Sequence, residues 1–89
     1  MKPEEYISAI EKFVGAIILP EFPEIKRFDV EIVGYFMYEN KIPYIFVNFY
    51  KDPMVGSRLN KLEDEINRMK AYMSFTTDDV IVHYNLHSA

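Results

Sequence analysis

The sequence predicts an α+β fold: a two-layer sandwich with two helices on one face of a three-stranded sheet, in the order α-β-β-α-β, containing an antiparallel hairpin. Three observations carry this. Residues 3–19 and 53–74 show the apolar recurrence of amphipathic helices. Residues 26–39, 42–51 and 80–86 are rich in β-branched and aromatic side chains, as strands are. Between the first two strands lies only Asn40-Lys41, a spacing that makes them a hairpin.

The first helix opens with Pro3, and Glu4 and Glu5 complement the positive end of its dipole. Ile7, Ile10, Val14 and Ile17 form its buried stripe, widened by Tyr6, Phe13 and Ile18. Pro20-Glu21-Phe22-Pro23 is expected to stop it, because proline cannot donate to the helical ladder and disfavours helical geometry in the residue before it. For the second helix Asp52 is the expected N-cap and Pro53 the first helical position. Val55, Leu59, Leu62, Ile66, Met69 and Met73 form its stripe, leaving Arg58, Lys61, Glu63, Asp64, Glu65, Arg68 and Lys70 for solvent. Thr76-Thr77-Asp78-Asp79 turns the chain into the last strand.

The hairpin is the densest part of the chain, since residues 28–50 hold eight of its fourteen aromatics. A two-residue turn at Asn40-Lys41 sets Phe36 opposite Ile45, Gly34 opposite Val47 and Ile32 opposite Phe49, a wholly apolar face for the helices. The other face then carries Val33, Tyr35, Met37, Tyr44 and Phe46, with Ile81 and His83 from the last strand, bordered by Glu31, Glu39, Asn48 and Tyr50. A sheet covered on one side only would alternate apolar with polar. This one does not, and two helices cannot cover both faces. Five or six such side chains expose on the order of several hundred Å², the scale of an interaction patch. A one-residue slip or a bulge at Gly34 would mix the two faces instead.

Bulk properties narrow the function classes. Eighty-nine residues make one domain, 1–89, with a core of its own and no linker. The absence of cysteine removes thiolate ligands, thiol nucleophiles and disulfides, and points to the cytoplasm. The N-terminus is too acidic for a signal segment, and the longest apolar run, Phe13 to Leu19, is far short of the ~18 residues needed to span a bilayer, so neither export nor membrane insertion is expected. A net charge of -4, with the basic residues scattered, argues against nucleic acid.

No catalytic or cofactor motif stands out. His83 and His87 share a strand face but lie ~13 Å apart at ~3.3 Å per residue, too far to grip one metal ion, and Asp78 and Asp79 read as solvated turn residues. Lys51 to Arg58 puts glycine, serine and arginine at a helix start, but without the phosphate-loop spacing, so helix opening is the better reading. No serine stands in a nucleophile turn, and Glu63, Asp64 and Glu65 belong to a solvent side rather than an acid-base pair. The tyrosines favour an interface, where a large ring with a polar tip is at home.

The element order resembles that of the soluble C-terminal domain of cation-diffusion transporters and, more loosely, of type II KH domains. The resemblance is of order alone. The Gly-X-X-Gly loop of the KH family is absent, and there is no metal-ligand motif to carry over from the transporters. The expectation is therefore a small non-enzymatic interaction module that forms a homodimer through Val33, Tyr35, Met37, Tyr44, Phe46, Ile81 and His83, with no cofactor and no metal. Two alternatives stand beside it. One is a ligand-binding protein or enzyme with an aromatic pocket near His83, and the other is an adaptor that docks the same face on another protein.

Overall fold

A computed structural model describes residues 3–37, 41–76 and 80–89, with side chains described except at 36, 37, 41 and 74–76. The order is α-β-β-α-β, as the patterning predicts. A helical rod is built from α1 (Pro3–Phe13), a π-helical segment (Val14–Ile18) and α2 (Leu19–Glu21). Then come β1 (Ile25–Met37), β2 (Lys41–Lys51), α3 (Gly56–Thr76) and β3 (Ile81–Ser88). The sheet order is β1-β2-β3, with β1 and β2 antiparallel and β2 and β3 parallel, and the helices pack on one face.

Pro20 does not end the first rod. Its missing N–H and its ring would conflict with the carbonyl four residues back in a regular α-helix. The π segment widens the turn just ahead of it, with the Leu19 N–H donating to the Val14 carbonyl, and the helix continues to Glu21. It closes at Phe22, whose N–H donates to the Ile18 carbonyl at 3.0 Å and which leaves helical geometry ahead of Pro23. The wide turn also changes which residues are buried. Tyr6, Ile10, Val14, Ile18 and Phe22 recur every four residues and are all core, whereas Ile17, expected in the stripe, is 42% exposed.

The second helix starts later than Asp52-Pro53 suggests. Its first turn is closed by the Leu59 N–H on the Val55 carbonyl at 2.9 Å, and Val55 itself is 67% exposed. Asp52 instead prolongs the sheet: its N–H donates to the Glu24 carbonyl at 2.9 Å, and its carboxylate pairs with Lys26 at 3.2 Å. From there the helical stripe behaves as expected, with Leu62, Ile66, Met69 and Met73 buried against the sheet. Glu65 departs from its assignment to solvent. It is 8% exposed, with Oε1 3.1 Å from Arg68 and a buried Oε2 without a hydrogen-bond partner among the described residues.

The hairpin register differs by four residues from that implied by an Asn40-Lys41 turn. Phe28 lies opposite Phe49, Val30 opposite Val47 and Ile32 opposite Ile45. An even slip leaves each side chain on its own face. The core face therefore survives with different partners. At Val33 a register shift intervenes, after which Gly34 lies opposite Tyr44, Tyr35 opposite Pro43 and Met37 opposite Lys41. Lys41 is thus a strand residue, and Tyr38 to Asn40, like Thr77 to Asp79, lie outside the described residues. The core unites Tyr6, Ile10, Val14, Ile18 and Phe22 with Ile45, Val47 and Phe49 of β2, Val82 of β3 and the α3 stripe.

An ion pair locks the two helical parts together. Arg58 donates from Nε to Glu24 Oε2 and from Nη2 to Glu24 Oε1, both at 2.8 Å, and from Nη2 to the Glu21 carbonyl at 3.1 Å. Its guanidinium also lies 5.1 Å from the Phe22 ring centroid. The hydrogen bonds from Arg58 hold the Glu24 carboxyl down at about 2.

Candidate functional site: the open face of the sheet

β2 is the central strand, and its alternation divides the molecule. Ile45, Val47 and Phe49 point into the core and are fully buried; Tyr44, Phe46, Asn48 and Tyr50 point the other way. No described element packs on that second side. In the parallel ladder Tyr44, Phe46, Asn48 and Tyr50 stand beside Ile81, His83, Asn85 and His87 of β3. In the antiparallel ladder they stand beside Gly34, Glu31, Asp29 and Arg27 of β1. The open face therefore has three zones along β2.

The first zone is aromatic. The Tyr44 and His83 rings stack with centroids 5.0 Å apart and planes at 25°, and Phe46 closes the group at 5.6 Å from Tyr44 and 5.5 Å from His83. Ile81 adjoins them. All four are only partly buried, although each ring shields the next.

The middle zone is polar and centred on Asn48, which is 6% exposed. Its amide donates to Asp29 Oδ1 at 2.8 Å and to Glu31 Oε1 at 3.2 Å. Its carbonyl oxygen accepts from Asn85 Nδ2 at 3.1 Å and lies 3.2 Å from His87 Nε2. Because the Asn48 oxygen can only accept, His87 carries its proton on Nε2 in this arrangement. All four hydrogen-bonding positions of the Asn48 side chain are used, which is what makes its burial tolerable.

At the far end Tyr50 stacks on His87 at 4.9 Å with planes at 18°, and the Arg27 guanidinium covers the Tyr50 ring at 3.5 Å from its centroid. Charge is thus confined to the β1 side, where Arg27, Asp29 and Glu31 stand.

Of the residues singled out from the sequence, Tyr44, Phe46, Ile81 and His83 come together as one group. Val33 sits at the register shift and is 50% exposed. Tyr35 is 40% exposed but lies opposite Pro43, so the bulge turns it to the helix side of the sheet rather than the open side. Met37 pairs with Lys41 through its backbone, and its side chain lies outside the described residues. Asn48 and Glu31, expected at the border of the apolar group, flank Tyr44 and Phe46, and beyond Asn48 the strand carries a second ring pair, Tyr50 on His87. Strand alternation sets Asn48 and Glu31 on this face, but a turn at Asn40-Lys41 does not bring Asp29 opposite Asn48, as the observed register does.

On the inner side Tyr84 donates its hydroxyl to Glu63 Oε2 at 3.1 Å, and burial, followed by that hydrogen bond, raises its pKa above the ordinary tyrosine value. A separate apolar groove of about 540 Å³ lies on the helix layer, lined by Ala9, Lys12, Phe13, Ala16, Ile17 and Tyr72. Among the described residues there is no group of three or more His, Asp or Glu side chains that could hold a metal ion, and no helix is long and apolar enough to cross a membrane. Comparisons with protein-family models, with curated proteins and with solved structures find no match for this chain.

Proposed function

We propose that this chain is a non-enzymatic interaction module that pairs with a second copy of itself through the open face of its sheet. The observation that supports this reading is the contiguous group of Tyr44, Phe46, His83 and Ile81 on a sheet side that no described element covers. Rings held against one another in fixed positions lose little further freedom on binding, and tyrosine and phenylalanine are enriched where interfaces are fully desolvated. The Asn48 network adds orientation rather than affinity, because its groups already satisfy one another. A two-fold axis suits such a surface, since it brings the same patch against itself and closes the assembly.

The test is the mass of the full chain by light scattering after size exclusion, at high micromolar concentration. The reading expects more than one chain per particle, and Phe46→Asp to lower that number, because a carboxylate would be buried among Tyr44 and His83 rings. A single chain at every concentration, or a mass that Phe46→Asp leaves unchanged, contradicts it.

A further inference from the structure

The two edges of the sheet are built differently. β1 and β3 are both edge strands in the order β1-β2-β3. An open edge offers unpaired N–H and C=O groups to any other strand, and edges that must stay single are blunted by charges, bulges or proline. β1 is blunted twice over. Register shifts interrupt it between Ile25 and Arg27 and between Ile32 and Gly34, and Arg27, Asp29 and Glu31 stand along it. β3 has none of these protections. It pairs with β2 without a shift from Ile81 to Ser88, and that stretch contains no proline and no lysine, arginine, aspartate or glutamate.

We propose that β3 accepts the β3 strand of a second copy as its antiparallel neighbour, making one continuous six-stranded sheet β1-β2-β3-β3-β2-β1. Antiparallel pairing of identical strands places the two-fold axis normal to the sheet, so each face continues as the same face and both helix layers lie on one side. No formally charged side chain of the strand can then meet its like across the axis. The helix above the edge supplies complementary charge. Glu63 and Lys70 of α3 both reach Tyr84, the first at 3.1 Å from its hydroxyl and the second with Nζ 5.8 Å from its ring centroid. An axis at Tyr84 reverses the direction of α3 in the second copy, setting Glu63 of each copy towards Lys70 of the other.

The arrangement also improves the open face. In the single chain the aromatic group lies on β2 and β3, next to the bare edge, while the charged residues flank it only on the β1 side. Joining two chains at β3 moves both aromatic groups to the interior of a face twice as wide, with Arg27, Asp29 and Glu31 at both outer rims. Asn85 and His87 of both β3 strands share that interior, so the merged face has a centre free of formally charged side chains and a charged rim, as protein interfaces do. Covering the merged face with a second such pair rests on the function proposed above, whereas the edge pairing stands without it. Both together give a closed assembly of four chains, because the two kinds of axis are perpendicular.

The test combines light scattering on the full chain with amide hydrogen exchange at low and high concentration. The expected mass is four chains, with alternate amides of 81–88 exchanging at least tenfold more slowly at high concentration. Phe46→Asp is expected to leave pairs with β3 still protected. Glu63→Lys is expected to leave pairs with β3 unprotected, and the exchange Glu63→Lys with Lys70→Glu to restore four. Amides of β3 that exchange at one rate at every concentration overturn the edge pairing; pairs that Phe46→Asp dissociates would then leave the face reading standing and the edge free for an unrelated strand. Pairs with protected β3 that Phe46→Asp leaves intact support the edge pairing and overturn the face reading. A single chain throughout overturns both.

Discussion

Asn48 sets the character of the sheet's open side at the residue scale. A polar side chain in the middle of a β-strand costs little while it is wet, but this one is buried by its neighbours and needs all of its partners. Asn48→Ala strands the Asp29, Glu31, Asn85 and His87 groups that it joins, and is expected to destabilise the fold by about 1–3 kcal/mol in urea denaturation. A change of a few tenths would show that solvent replaces the amide freely. Glu24 gives a prediction in pH. Its carboxyl is lowered by Arg58 from the ordinary 4.5 to about 2, so the pair stabilises the fold fully above pH 4.5, and this contribution is lost as the pH falls towards 2. The stability gap between wild type and Arg58→Ala should therefore be widest above pH 4.5 and shrink below it. A gap constant from pH 7 to 2.5 would contradict that origin. Neither Glu24 nor Asn48 announces its partners in the sequence. They lie 34 residues from Arg58 and 19 from Asp29, distances that only the register and the helix start bring together.

At the scale of the elements, the sequence pattern locates every helix and strand, with α1 opening at Pro3 and β2 closing at Lys51 as expected, while other ends shift for identifiable reasons. Core residues spaced by four drift by about 40° per step around an α-helix of 3.6 residues per turn. The π segment at Val14–Ile18 absorbs part of that drift, and so Ile18 rather than Ile17 is core. Ile18→Ala is expected to cost about 2–5 kcal/mol as a core deletion, and Ile17→Ala less than about 1. Equal losses in thermal or chemical unfolding would contradict the wide turn. Asp52 and Pro53 resemble a helix opening in composition, yet Asp52 completes the sheet and pairs with a half-exposed Lys26. Asp52→Ala should then shift stability by no more than about 0.5 kcal/mol, where loss of an N-cap would cost about 1 kcal/mol. The hairpin register failed because Lys41 reads as a turn residue while it pairs as a strand residue. The even slip spares the core assignments as far as Ile32, and the bulge at Val33 changes the side that Tyr35 takes.

For the whole molecule, the balance of apolar residues was the legible part. A chain with more apolar strand positions than two helices can cover predicts a sheet with one open side, and β2 carries that pattern in Tyr44 and Phe46 opposite Ile45 and Val47. What the pattern could not give was the parallel placement of β3, which brings His83 onto Tyr44 and Phe46 and leaves an unguarded edge beside them. Long-range pairing of this kind is fixed by the crossover of α3 and not by any local sequence signal. The central claim is that this open face holds copies of the chain together. Its most direct measurement is the light-scattering mass of wild type beside Phe46→Asp at the same high micromolar concentration: the account predicts a multimer whose mass falls by half on substitution, and a wild-type mass of one chain, or one indifferent to Phe46→Asp, would contradict it.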